Sequence, residues 1–287
     1  MQLARFDDQR LGVVLGDEIA DVTPVLEQLP LRRWPFPPGD DLIRHLPTLR
    51  PAIEALVPQA PRLPLASRKL LSPVANPGKV IAAPVNYRKH IEESRADAGI
   101  HFGNEVSAID RYALFLKATS SVVGAGEGIQ IHHDPEATGR RTDHEVELAL
   151  VIGSEARHVS EADALSVVAG YLIGLDITIR GTEDRSWRKS LDTFTVLGPW
   201  LVTADAFGDP ESVDLRIAVN GQIKQDANSR DLIWSVRRCI AMASSAYTLH
   251  PGDVILTGTP EGVGPIARGD QLDAFIEGIG SMDVAVR

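Results

Sequence analysis

Two carboxylates, Glu145 and Glu147, stand two residues apart in segment 142–153 (TDHEVELALVIG). The alternation of Val146, Leu148, Leu150 and Ile152 predicts a strand, and residues i and i+2 of a strand share a face. The four apolar residues then face a core. Glu145 and Glu147 point together to the other side, where Ala149 and Val151 continue the face. Neighbouring carboxylates beside small apolar groups repel unless a proton or a cation lies between them. A third acid, Asp176, ends the apolar run 171–175 and equally calls for a partner. Three oxygen donors without cysteine or paired histidine suit a hard cation, Mg²⁺ or Mn²⁺, with positions left for water or substrate. The spacing also fits a solvated strand face with Asp176 capping a turn, and spacing alone leaves both readings open.

His90 and Glu93 are spaced i, i+3, on one face of a helical turn. A carboxylate there can orient an imidazole so that it serves as a base for water, although such a pair is more often a surface ion pair. Lys117, Arg180 and Lys189 are candidates for anion binding, and Arg180 follows Asp176 by four residues. Residues 257–264 (TGTPEGVG) form a glycine-rich turn after an apolar strand. Its amides and threonine hydroxyls could receive a carboxylate. No Gly-Lys-Ser/Thr follows, so it is not a phosphate loop. His144-Glu145 fails as a zinc-protease motif because position 148 is leucine, and there is no Gly-x-Ser-x-Gly elbow. The adjacent His132 and His133 point to opposite sides of an extended chain and read as loop residues.

The chain that must position these groups has 287 residues, 44% of them hydrophobic, enough for a sizeable core. Its net charge of −10 argues against a general nucleic-acid binder. The single cysteine, Cys239, excludes an internal disulfide and cysteine-rich zinc sites. The first residues have no apolar signal region, and the longest nearly apolar stretch, 167–175, is about half of a membrane span. The expectation is a cytoplasmic protein with no membrane partner.

Residues 2–23 read as short strands and 30–39 as proline-rich loop. Residues 40–57 read as a helix capped by Asp40 or Asp41, with a break expected at Pro47 and Pro51. The proline-dense stretch 58–78 reads as a linker or crossing segment. It suggests a small N-terminal domain, 1–72, and a main domain, 73–287. Strands are expected at 79–84, 146–152, 171–179 and 254–257, and from 271 onward. Ser160 and Asp163 suggest a capped helix to Ala169, Asn220-Gly221 a hairpin, and 231–247 an amphipathic helix. Many strands and few helices give an α+β, mainly β class rather than a doubly wound sheet.

An ordered set of segments carries a resemblance: 86–90 (NYRKH), 115–117 (FLK), 143–148 (DHEVEL), Gly170-Tyr171 with Asp176, Lys189-Ser190, 197–200 (LGPW), 219–221 (VNG) and 251–264 (PGDVILTGTPEGVG). Over about residues 78–287 the chain resembles the fumarylacetoacetate hydrolase family, in its smaller bacterial type. The resemblance implies a mixed β-roll, a homodimer and a divalent metal on Glu145, Glu147 and Asp176. It implies that His90 and Glu93 form a water-activating dyad on a lid. It sets Lys189 beside the substrate, and favours substrate contacts at Thr257 and Thr259. Larger members carry a further acidic ligand where this chain has Ala83. The stretch 180–189 is short for the family and 94–114 reads as an insertion, so specificity cannot be copied from one relative.

The expected function is hydrolysis of a C–C bond in a 2,4-dioxo acid of acylpyruvate type, through a metal-stabilised enolate, in catabolism of aromatic or sugar acids. The same enolate would serve an oxaloacetate-type decarboxylase or a hydroxymuconate-type isomerase. A non-catalytic metabolite-binding homologue is the alternative of another class. Lys189, Arg180 and Lys117 would offset the global negative charge near an anionic substrate.

Overall fold

The computed structural model of the chain describes residues 1–133 and 138–287. Among these residues twelve strands form one large sheet. Its centre is Val146–Ile152 beside Val168–Asp176, antiparallel, with Val146 opposite Leu175 and Leu150 opposite Tyr171. Thr195–Thr203 flanks this pair on one side and Val254–Leu256 on the other. The N-terminal strands Gln2–Phe6, Arg10–Leu15 and Glu18–Asp21 extend the same sheet, joined through Gln2 opposite Val202. The proline-rich crossing segment adds two short strands, Arg62–Pro64 and Leu70–Leu71.

Both faces of the sheet centre are buried. Val146, Leu148, Leu150 and Ile152 pack with Leu215, Ile217, Leu272 and Ala274 of a four-stranded antiparallel sheet, and with Cys239, Ile240 and Ala243 of helix Val236–Ala246. Ala149, Val151 and Leu172 pack on the other side against Ile43, Leu46, Leu49 and Ile53 of helix Asp41–Leu56. This is the mainly β, α+β architecture expected from the strand count. The hairpin forms between Asp214–Val219 and Gln222–Asn228, with Asn220 and Gly221 both at positive φ as its two-residue turn requires.

Four local expectations need correction. Helix Asp41–Leu56 runs unbroken through Pro47 and Pro51. Both prolines are exposed, and the buried stripe opposite holds the helix down. Ser160 and Asp163 do bond each other, but a 3₁₀ turn, Ala164–Val167, replaces the longer helix, because Val168 already belongs to the sheet. Strand 171–179 is two strands in two sheets, Val168–Asp176 and Thr178–Ile179. The helix expected from 231 starts at Val236. Asn86 takes the amides of Ile233 and Trp234 on its backbone and side-chain oxygens, which draws 232–234 out of helical geometry. Cys239 is buried, and burial together with the charge of Glu147 pushes its thiol up to about 12. Among the described residues no helix is long and apolar enough to cross a membrane.

Candidate metal centre and active site

Glu145 lies between Thr142–His144, in a three-stranded sheet, and Val146–Ile152, in the large one. Asp176 ends its own strand at the same level, and the next strand, Thr178–Ile179, pairs with Thr142–His144 in the small sheet. Two neighbouring strands therefore change sheets together. The Asp176 amide donates to the Glu145 carbonyl at 2.9 Å across that seam. Glu147 follows on the face shared with Glu145, as strand alternation requires. One carboxylate oxygen from each of Glu145, Glu147 and Asp176 lies within 4.8 Å of the others, and all three residues are buried.

The acids differ in their partners. Glu145 accepts from Arg180 Nη2 at 2.8 Å and from Lys189 Nζ at 2.6 Å. Burial opposes its charge, but Lys189 and Arg180 outweigh burial and hold its carboxyl well below the usual range. Asp176 accepts from Lys117 Nζ at 2.5 Å and from Lys189 Nζ at 2.6 Å. Glu147 accepts from the Gly258 amide at 2.5 Å. Burial and the charge of Asp176 push its carboxyl well above the ordinary value. Three buried hard oxygen donors, one of them with no cationic hydrogen-bond partner, fit a divalent cation.

Gly258 delivers its amide from a φ of +102°, and a Cβ there would lie 2.6 Å from the Asn86 Cβ. Only glycine suits both constraints. Asn86 Nδ2 in turn donates to the carbonyls of Thr257 and Trp234, which pins the glycine loop to the segment before helix Val236–Ala246. Gln225 ties the hairpin to the same loop through Thr259 Oγ1 and the Pro260 carbonyl, and accepts from the Val146 amide.

A cleft opens above the acids. Its lining includes Glu145, Glu147, Asp176, His90, Arg180, Lys189 and Thr259. His90 stands on helix Arg88–Ala96, with Nδ1 3.0 Å from Glu93 Oε2. Glu93 Oε1 accepts from the Gly262 amide at 2.9 Å, so the helix is latched to the glycine loop. Bonding Nδ1–H to Glu93 leaves Nε2 as a proton acceptor.

The structure thus gathers most of the residues singled out from sequence, with two changes. Lys117 is buried outside the cleft lining, and its ammonium is held by Asp176 and by the Phe194 carbonyl at 2.8 Å. Burial lowers its pKa against the opposing charge of Asp176, the acid that it anchors. Thr257 is likewise outside the lining and donates its hydroxyl to the Leu148 carbonyl at 2.8 Å, which bolts the loop to the central strand. Thr259 lines the cleft but donates to the Val146 carbonyl. Arg180 lines it too, with its guanidinium shared between Asp143, at 2.8 Å, and Glu145. Burial works against its charge, and Glu145 and Asp143 raise its pKa over that cost.

Several cleft residues carried no signal of their own in the sequence. Ile100, His101, Asn104 and Tyr112 come from the stretch read as an insertion, and Arg185 and Arg188 from the short stretch before Lys189. Asp143 could have been suspected, since an acid among strand residues needs a partner. Gln225 and Asn86 act through groups far away in the chain, and no local pattern marks them.

The family model described as Fumarylacetoacetate (FAA) hydrolase C-terminal matches residues 79–287. A maleylpyruvate hydrolase of Aquipseudomonas alcaligenes is 53% identical over 289 residues, spanning 100% of this chain and 99% of that protein. The mitochondrial oxaloacetate tautomerase Fahd2a of Rattus norvegicus is 34% identical, over 93% of this chain and 83% of its own. Among solved structures, the maleylpyruvate hydrolase from Sphingobium sp. SYK-6 in complex with manganese(II) ion and pyruvate superposes with a TM-score of 0.83 at 43% identity, covering 100% of this chain and 98% of that one.

Proposed function

The chain belongs to the fumarylacetoacetate hydrolase family, and from that premise we propose that it is a divalent-metal-dependent hydrolase that cleaves the C–C bond of a 2,4-dioxo acid of the maleylpyruvate type. The observation that carries this reading is the cluster of three buried carboxylates within 4.8 Å, open to a cleft that also holds the His90–Glu93 pair. Water adds to the carbonyl at C4, the C3–C4 bond breaks, and the products are a carboxylic acid and pyruvate.

Glu145, Glu147 and Asp176 would hold Mg²⁺ or Mn²⁺, which would supply Lewis-acid stabilisation of the enolate charge on the pyruvyl half. The remaining steps fall to side chains. Glu93 fixes the His90 ring, and His90 Nε2 takes the proton from the attacking water. That proton is then available for C3 of the leaving half. Lys189 sits between Glu145 and Asp176 with a third bond to Thr178 Oγ1 at 2.6 Å, so its three donors are engaged and its positive charge is fixed beside the acids, where it would offset charge developing on the substrate. Arg180 helps to keep Glu145 charged, and Lys117 holds Asp176 in place. Thr259 bounds the cleft beside them.

Residues 73–287 form the unit that bears this site, and residues 1–72 a smaller N-terminal unit that completes the large sheet. The protein is taken to act in the cytoplasm, a reading supported by its lone, free Cys239; a tagged copy found by cell fractionation outside the cytosol would contradict it. A homodimer is the expected assembly. The apolar stripe of helix Val236–Ala246 is used inside the chain, which leaves the outer strand Gln222–Asn228, with Ile223 57% exposed, as the better contact. Sedimentation tests this, and Ile223→Lys should weaken any dimer seen.

The activity test is a panel of maleylpyruvate, acetylpyruvate and oxaloacetate with Mg²⁺, Mn²⁺ or EDTA, with products identified. Metal-dependent loss of acylpyruvate absorbance with pyruvate formed is the expected result. Turnover of oxaloacetate alone would favour the chemistry named for the Rattus relative. No turnover of any member would leave a metabolite-binding protein.

A further inference from the structure

Arg185 lines the cleft, half-buried, at the start of the short helix Arg185–Arg188. Its guanidinium carbon lies 4.6 Å from the centre of the Tyr112 ring and 5.7 Å from that of Phe115. Those rings hold the guanidinium in position. No side chain or carbonyl among the described residues hydrogen-bonds or ion-pairs with it. The other cleft arginines are engaged. Arg180 binds Asp143 and Glu145, and Arg188 donates to the carbonyls of Glu183 and Ile179. The nearby acids are also engaged: Glu183 with Arg140 at 2.8 Å, and Glu105, itself in the cleft lining, with Arg111. Arg185 is therefore a partly desolvated cation with a free donor fork, in a cleft whose other arginines are hydrogen-bonded.

Phe115 relates this cation to the acid cluster. Lys189 Nζ, bonded to Glu145 and Asp176, lies 5.8 Å from the centre of the same ring. A substrate with its pyruvyl end at the acids can pass along Phe115 and reach Arg185 with its other end. A planar five-donor fork suits a carboxylate.

We propose that Arg185 receives the carboxylate at the far end of a dicarboxylic acylpyruvate, and so selects 2,4-dioxo acids with an anionic acyl group over those with a neutral one. The inference rests on the hydrolase reading above and adds the residue that chooses among its substrates.

The test compares Arg185→Gln and Arg185→Lys with the unaltered enzyme on maleylpyruvate and on acetylpyruvate, whose acyl group carries no charge. Arg185→Gln should lower kcat/KM for maleylpyruvate about 10–100-fold, the loss expected for one charge-assisted contact. The loss should lie in KM, with acetylpyruvate changed by less than about threefold. Arg185→Lys, which keeps the charge without the fork, should fall between. Calorimetry on the Mn²⁺-loaded proteins gives a second readout: Arg185→Gln should weaken 2-oxoglutarate but not 2-oxopentanoate, which lacks the distal carboxylate. Equal losses for both members of a pair, or no loss for the diacid, would overturn the proposal. If the unaltered protein cleaves neither acylpyruvate yet binds 2-oxoglutarate through Arg185, the hydrolase reading fails and the anion site stands.

Discussion

Glu147 and Asp176 stand on strands buried on both faces, Glu145 at the break just before the first of them, and each carboxylate is held by an ammonium, a guanidinium or an amide. Tyr112 and Arg185 look into the same cleft from two helices of four residues each, joined to their surroundings by loops. The acid floor is over-determined: moving one carboxylate would unseat Lys189, which bonds two of the three. The wall is sparsely tied, and one of its cations has no counter-charge. Bond-breaking chemistry needs fixed groups, and selection among substrates needs groups that can change without disturbing them. The difference between floor and wall fits that division.

The contrast can be broken most directly at Glu147. Glu147→Ala should lower Mn²⁺ affinity more than about 100-fold, beyond the 10–100-fold typical of outer-shell changes, and abolish turnover. Calorimetry checks this, and unchanged Mn²⁺ affinity would remove Glu147 from the floor.

His90→Ala should reduce kcat by about 10²–10⁴-fold, the usual contribution of a general base, with Mn²⁺ affinity within about twofold. If metal binding collapsed while turnover persisted at saturating Mn²⁺, His90 would belong to the floor and not to the helix above it.

Lys117→Met tests whether the floor depends on its hidden cation. Removing one partner of a buried pair leaves Asp176 under-compensated and should cost about 3–5 kcal/mol in urea unfolding without metal. A loss below about 1 kcal/mol would mean that Lys189 alone suffices.

The smallest effect is expected on the wall, at Asp97. It caps the turn Ala98–His101 through the Gly99 amide, and that bond, with burial opposing and Arg141 assisting, holds its carboxyl below the usual value. A depressed carboxyl stabilises the fold above its unfolded pKa, near 4, and that contribution is lost as pH falls through the folded value. Asp97 is 44% exposed, so solvent screening limits the effect to a few tenths of a kcal/mol. Protection of the Gly99 amide from hydrogen exchange should fall as pH drops below about 4 and should be flat in Asp97→Asn, which keeps the cap and removes the charge. An equal fall in both would assign the pH dependence elsewhere.

The floor was legible in the sequence because it obeys a local rule. A period of two puts Glu145 and Glu147 on one side, and an acid at the end of an apolar strand marks Asp176. The Asp40 cap was legible for the same reason: Asp40 accepts from the Ile43 amide, three residues on. The unbroken course of that helix through Pro47 and Pro51 was not, because burial of Ile43, Leu46, Leu49 and Ile53 against the sheet overrides the local cost. Thr257 looked available to a ligand until its hydroxyl met the Leu148 carbonyl, 109 residues away in the chain. Arg185 gave no signal at all, since its importance lies in the partners it lacks.

By itself the sequence determined which acids share a strand face or end a strand, since alternation is written in neighbouring residues, while the metal came only with the family resemblance. Only the tertiary structure decided how charge is shared over those acids. Lys117 and Lys189 reach Asp176 from 59 and 13 residues away, Arg180 spans Asp143 and Glu145, and Arg185 is left over. Pairing is a competition among groups brought together by folding, settled by distance and desolvation, neither of which a linear order contains.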